Sequence, residues 1–71
     1  MKKIFKLENL DCAHCAEKME NAINKLDGVN ASINFFASKI VIESDAEDFN
    51  GVVDTVQQTI SGIEKDCRIV R

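Results

Sequence analysis

The chain contains no proline, no tryptophan and no tyrosine, only three glycines and a single histidine. With phenylalanine as the only aromatic, the core must rest on isoleucine, valine, leucine, alanine and four phenylalanines. The cysteine count is three, an odd number that does not suggest a disulfide scaffold. Lysine and arginine are scattered rather than clustered, and the net charge is -3, so nucleic acid is not expected as a partner. No apolar run approaches the ~20 residues that cross a bilayer. The opening Met1-Lys2-Lys3-Ile4-Phe5-Lys6 is too briefly apolar for a signal peptide, so a soluble, cytoplasmic location is expected. Seventy-one residues predict one domain, residues 1–71, with one small core.

Against this background one stretch stands out, Asn9-Leu10-Asp11-Cys12-Ala13-His14-Cys15. Cys12 and Cys15 fall where a strand pattern ends and a helix pattern begins. Two soft thiolates at this spacing can hold one metal ion from a single turn of chain. Unpaired N–H groups at a helix start favour thiolate over thiol, and metal binding displaces both protons. A Cys-x-x-Cys pair alone serves either metal binding or redox work.

The rest of the chain reads as alternating strands and helices. Residues 2–8 place Phe5 and Leu7 on one side, with Ile4 breaking the alternation. From Ala13 to about Leu26 the apolar positions Ala16, Met19, Ala22, Ile23 and Leu26 follow the helical period, and Asp27-Gly28 ends the helix. Residues 29–35 alternate strictly, with Val29, Ala31, Ile33 and Phe35 inward. Lys39-Ile40-Val41-Ile42-Glu43 pairs back on them as a hairpin. Ser44-Asp45-Ala46-Glu47 resembles a capping box for a second helix carrying Phe49, Val52, Val53, Val56 and Ile60. Asn50-Gly51 conflicts locally with that helix and allows a later start. Ser61-Gly62 is expected to end it, leaving Ile63–Val70 as the last strand with Ile63, Cys67 and Ile69 on one parity.

This β-α-β-β-α-β order predicts an α+β, ferredoxin-like sandwich: a four-stranded antiparallel sheet with both helices on one face. The first β–α loop then lies at one end of the sheet, beside the link from the second helix to the last strand. The cysteine pair is placed at an edge of the molecule, open to another protein.

At this point the chain resembles a heavy-metal-associated domain. The resemblance runs through Cys12-Ala13-His14-Cys15, Leu26-Asp27-Gly28-Val29 and Lys39-Ile40-Val41-Ile42. The family's usual loop is Gly-Met-Thr/Asp-Cys-x-x-Cys; here Asn9, Leu10 and Asp11 precede the first cysteine, and Leu10 suits the buried slot usually given to methionine. Leu10-Asp11-Cys12 is most similar to the zinc- and cadmium-exporting ATPases. The resemblance implies Cys12 and Cys15 as metal ligands and matches Asp11 to the extra carboxylate of the divalent-metal members. From the residues alone, helix capping and ligation both stay open for Asp11. His14 is read as solvent-exposed, Cys67 as a small buried hydrophobe and Met19 as core packing; Glu64 could sit near the metal loop after the second helix, but a solvated charge at a strand start is the preferred reading.

The function expected is binding and transfer of one soft ion, Zn(II) or Cd(II) before Cu(I). The chain would be the N-terminal metal-binding domain of a Zn(II)/Cd(II)/Pb(II) export P-type ATPase, and so a cytosolic part of a membrane protein. It would be no enzyme by itself and monomeric without metal. Its partners would be segments of a metal-transporting ATPase or a metallochaperone, engaged by thiolate exchange. The alternative is a free-standing copper(I) metallochaperone. A thiol–disulfide oxidoreductase is the weaker third reading, since no cis-proline can face the pair and no tryptophan is present.

Overall fold

The computed structural model describes residues 1–71. The elements are β1 (Lys2–Glu8), α1 (Ala13–Asn24), β2 (Val29–Asn34), β3 (Lys39–Ser44), α2 (Phe49–Ile63) and β4 (Arg68–Val70). The strands form one antiparallel sheet in the order β2-β3-β1-β4. Both helices cover one face of it, which is the ferredoxin-like arrangement expected. No helix is long and apolar enough to cross a membrane.

The core follows from two periodicities. Leu7 on β1, Val29 on β2, and Ile40 and Ile42 on β3 point to the helices. Met19 and Ile23 of α1 and Val53, Val56 and Ile60 of α2 meet them in one buried cluster. Ile4, off the inward parity, is 65% exposed on the open sheet face. The β2–β3 hairpin runs in register from Val29 opposite Ser44 to Asn34 opposite Lys39. Its connection is residues 35–38, where Ser38 has φ +53° and the Asn34 Oδ1 accepts from Ala37 N–H at 3.0 Å. Phe35 therefore lies in the turn, half-buried, rather than at the strand's end. Gly28, with φ +73°, takes the left-handed position between α1 and β2.

Three further boundaries differ from the sequence reading. The α1 helix ends at Asn24 rather than near Leu26, because Lys25 and Leu26 close with shorter bonds to the carbonyls of Ala22 and Ile23. The capping box at residues 44–47 is not used. Ser44 belongs to β3, buried, with its Oγ accepting from Ala46 N–H at 3.2 Å. Asp48 is the N-cap of α2, accepting from Gly51 N–H at 3.0 Å. Gly51 fits this first turn because a Cβ there would stand 2.5 Å from Asp48 Oδ2. The residue that looked like a turn signal is the one that leaves room for the cap.

The third difference is at the end of α2. The helix passes through Ser61-Gly62 to Ile63, and Glu64 N–H still reaches the Ile60 carbonyl at 2.8 Å. A glycine stops a helix only where the backbone turns left-handed, and Gly62 does not. The last strand thus shrinks from the expected 63–70 to Arg68–Val70. Ile63 is half-buried from the helix, while Cys67 and Ile69 keep the inward parity and are buried.

Candidate metal centre

The loop between β1 and α1 is held at both ends. Asn9 sits at φ +61°, a conformation asparagine tolerates better than most side chains. Its Nδ2 donates to the Asp66 carbonyl at 3.0 Å, tying the loop to the α2–β4 link as the topology predicts. Leu10 is half-buried and packs against the core cluster. The chain then enters α1 with Cys12 extended, at φ -135° and ψ 121°.

Cys12, not Asp11, is the N-cap of α1. Its Sγ accepts from Cys15 N–H at 3.3 Å, and its carbonyl accepts from Ala16 N–H at 3.0 Å. Sulfur here takes the place normally filled by a serine, threonine, asparagine or aspartate oxygen. Both thiols are free and partly exposed, and no acidic residue stands in the first turn of α1. The Cys12 thiol is held below its ordinary value of 9.0, chiefly by the Cys15 thiol and its N–H, with help from the His14 N–H. Cys15 is pushed up to about 12, first by its proximity to Cys12, then by the Glu64 carboxylate and burial. The pair thus ionises in sequence: Cys12 takes the first negative charge, and that charge resists ionisation of its neighbour.

Asp11 is exposed and lines an open polar cleft with Glu8, Asn9, Asp66 and Arg68. Its carboxylate does not converge with the two thiols, and no three His, Cys, Asp or Glu side chains come together in a geometry that could hold a metal ion. His14 is exposed, and Met19 is fully buried in the core, as expected. Cys67 is fully buried, and its thiol is pushed up by burial, then by Glu64 and Asp11.

Glu64 is the residue the sequence reading undervalued. It is partly buried where α2 gives way to extended chain, and its carboxylate bears on all three thiols. The sequence offered a place near the metal loop for Glu64, but assigning it to a strand start favoured a solvated charge. The available signal was the topology itself, which puts the first residues after α2 beside the β1–α1 loop.

Two sulfur donors offered from one helix turn, at an edge, leave the remaining coordination positions of an ion open to an incoming ligand. The chain is similar to known proteins along most of its length. The family model described as heavy-metal-associated domain matches residues 4–66. The cadmium, zinc and cobalt-transporting ATPase of Bacillus subtilis is 31% identical over 65 residues, which is 90% of this chain and 9% of that protein. The copper-exporting P-type ATPase of Staphylococcus haemolyticus is 37% identical over 54 residues, 73% of this chain and 7% of that protein. The chain therefore spans less than a tenth of the length of these curated relatives. Among solved structures, the CopZ metallochaperone superposes with a TM-score of 0.74 at 25% identity, covering 99% of this chain and 100% of that one.

Proposed function

The chain belongs to the heavy-metal-associated domain family, and from that premise we propose that Cys12 and Cys15 take up one soft metal ion and hand it on by thiolate exchange. The observation that carries this reading is the thiol pair at the start of α1, where Cys12 Sγ already accepts a backbone N–H and is readied for ionisation. Two donors bind without enclosing the ion, so a partner's thiolates can enter before the first pair leaves. Residues 1–71 act as one metal-binding unit without catalysis of their own. Any ATP-driven step belongs to other parts of a transporter, and the unit works on the cytosolic side of it. The partners are segments of a metal-transporting ATPase or a metallochaperone.

The cargo we favour is divalent, Zn(II) or Cd(II) before Cu(I), in an export ATPase of the Zn(II)/Cd(II)/Pb(II) type. Zn(II) prefers about four ligands and accepts carboxylate oxygen at ~2.0–2.2 Å, whereas Cu(I) is content with two thiolates. Asp11 adjoins Cys12, is exposed, and is relieved of capping because Cys12 does that work. For Asp11 to ligate an ion held by both sulfurs, its carboxylate would have to turn out of the cleft it shares with Glu8, Asn9, Asp66 and Arg68. Its charge also favours a divalent ion over a monovalent one. Asp11→Ala should then weaken Zn(II) binding by roughly 10–100-fold and leave Cu(I) binding equal or tighter. The apo melting temperature should not move, since no cap is lost. An unchanged Zn(II)-to-Cu(I) preference in that variant would remove the divalent assignment. It would favour the second reading, a free-standing copper(I) metallochaperone; a metallochaperone, CopZ, is among the solved structures this fold resembles.

A further inference from the structure

The order β2-β3-β1-β4 leaves β2 and β4 as the edge strands, and β2 has neither the charges nor the proline that commonly guard an edge. Its six residues, Val-Asn-Ala-Ser-Ile-Asn, carry no charge, and the chain has no proline to interrupt pairing. A strand of that length and character is a template for another strand wherever its outward backbone groups are left free. Yet its outward N–H groups are all taken. Val29 N–H reaches the Leu26 carbonyl at 3.4 Å. Ala31 donates its N–H to Asn24 Oδ1 at 2.8 Å and accepts from Asn24 Nδ2 at 2.9 Å. Ile33 donates its N–H to Glu20 Oε2 at 2.7 Å. The Asn24 carboxamide offers one donor and one acceptor side by side, as a peptide unit does, and so stands where a neighbouring strand would pair.

The other edge is treated alike. On α2, Gln57 donates to the Cys67 carbonyl at 3.0 Å and accepts from Ile69 N–H at 2.7 Å. In each half of the fold, the helix that leads into the edge strand sends a carboxamide to bracket it. The strand β4 is only three residues long, too short to be a strong template, whereas β2 is not.

We propose that the outer edge of β2 is a latent pairing surface for a second copy of this chain, held shut in the monomer by Asn24 and Glu20. The strand suits its own copy. Antiparallel pairing about a two-fold axis at Ala31 puts Val29 opposite the other copy's Ile33, and Asn30 opposite its Ser32. Apolar residues then meet on the helix side, and no like charges meet across the seam. This inference rests on the sheet edge and is independent of the metal reading.

The test uses the whole chain without metal, in chelator, comparing wild type with Asn24→Ala and Glu20→Ala. Asn21→Ala, exposed on the same helix, serves as the control. Amide hydrogen exchange by NMR and sedimentation are read on each. Wild type should be monomeric with the Ala31 and Ile33 amides protected. In dilute Asn24→Ala the Ala31 amide should exchange about tenfold faster, while Ser32, whose backbone faces β3, stays protected. Near millimolar concentration, Asn24→Ala and Glu20→Ala should form reversible dimers in which the released amides regain protection, and Asn21→Ala should not. Rapid exchange of Ala31 in wild type would overturn the proposal. So would variants that open the edge and remain monomeric, or a control that dimerises equally. Should Asn24→Ala not fold, Glu20→Ala carries the same test at Ile33.

Discussion

Alkylation of the metal-free protein reads the asymmetry of the thiol pair directly. Cys12 is held below its ordinary value of 9.0, so more of it is thiolate at about pH 8 than of an unperturbed cysteine. Cys15, pushed up to about 12, is ionised to roughly one part in ten thousand at the same pH. Thiolate on Cys12 therefore far outweighs thiolate on Cys15. Nucleophilicity falls with pKa, but with a slope of only about 0.4–0.5, so it returns less than the population difference and leaves Cys12 ahead. Substoichiometric iodoacetamide on fully reduced protein, followed by peptide mapping of the singly modified species, should therefore find the adduct on Cys12. Only the first event is informative, because a blocked Cys12 no longer holds its neighbour's proton. The rate of Cys12 modification should rise with pH through a value below 9.0, the direction its lowered pKa requires. Glu64→Gln should narrow the bias, since that carboxylate is the second cause raising Cys15. An adduct shared equally, or found mainly on Cys15, would refute this account of the site's electrostatics.

Two further outcomes test the frame around the site. Cys67→Ala should cost about 1 kcal/mol or somewhat more by leaving a small cavity, which chemical denaturation would measure, and should leave metal affinity unchanged. Asp48→Ala should cost about 1 kcal/mol by removing the α2 cap, a fall of about 4–8 °C in Tm by calorimetry, and Glu47→Ala should cost far less.

The parts of the fold that local pattern controls were legible in the residues. Strict alternation in Val29–Ile33 and the β-branched run at Ile40–Ile42 specify the hairpin, because a one-residue slip would turn the buried face to water. The apolar stripe of α2 likewise outweighed the turn-like Asn50-Gly51. What escaped were choices between near-equivalent local options. Ser44 to Glu47 has the spacing of a capping box, but Ser44 is committed to β3 by burial, so the cap moves to Asp48. Cys12 was not weighed as a cap because sulfur is a poor substitute for oxygen there, and Asp11 stood next to it as the ordinary candidate. Misplacing the end of α2 carried a functional cost, since it favoured a solvated Glu64 over one set beside the thiols. The brackets of Asn24 and Gln57 on the sheet edges could not be read at all, because each depends on where the strand lies in the finished sheet.

The central claim is that Cys12 and Cys15 together hold one transferable ion. Native mass spectrometry of wild type, Cys12→Ser and Cys15→Ser, each titrated with Zn(II), Cd(II) and Cu(I), tests it most directly, with circular dichroism on the same samples. Serine is itself a good helix cap, so Cys12→Ser should keep the fold while losing the ligand. Wild type should take up one ion per chain, and each serine variant should lose tight binding with an unchanged spectrum. A folded variant that keeps wild-type affinity would remove that cysteine from the site and contradict the account.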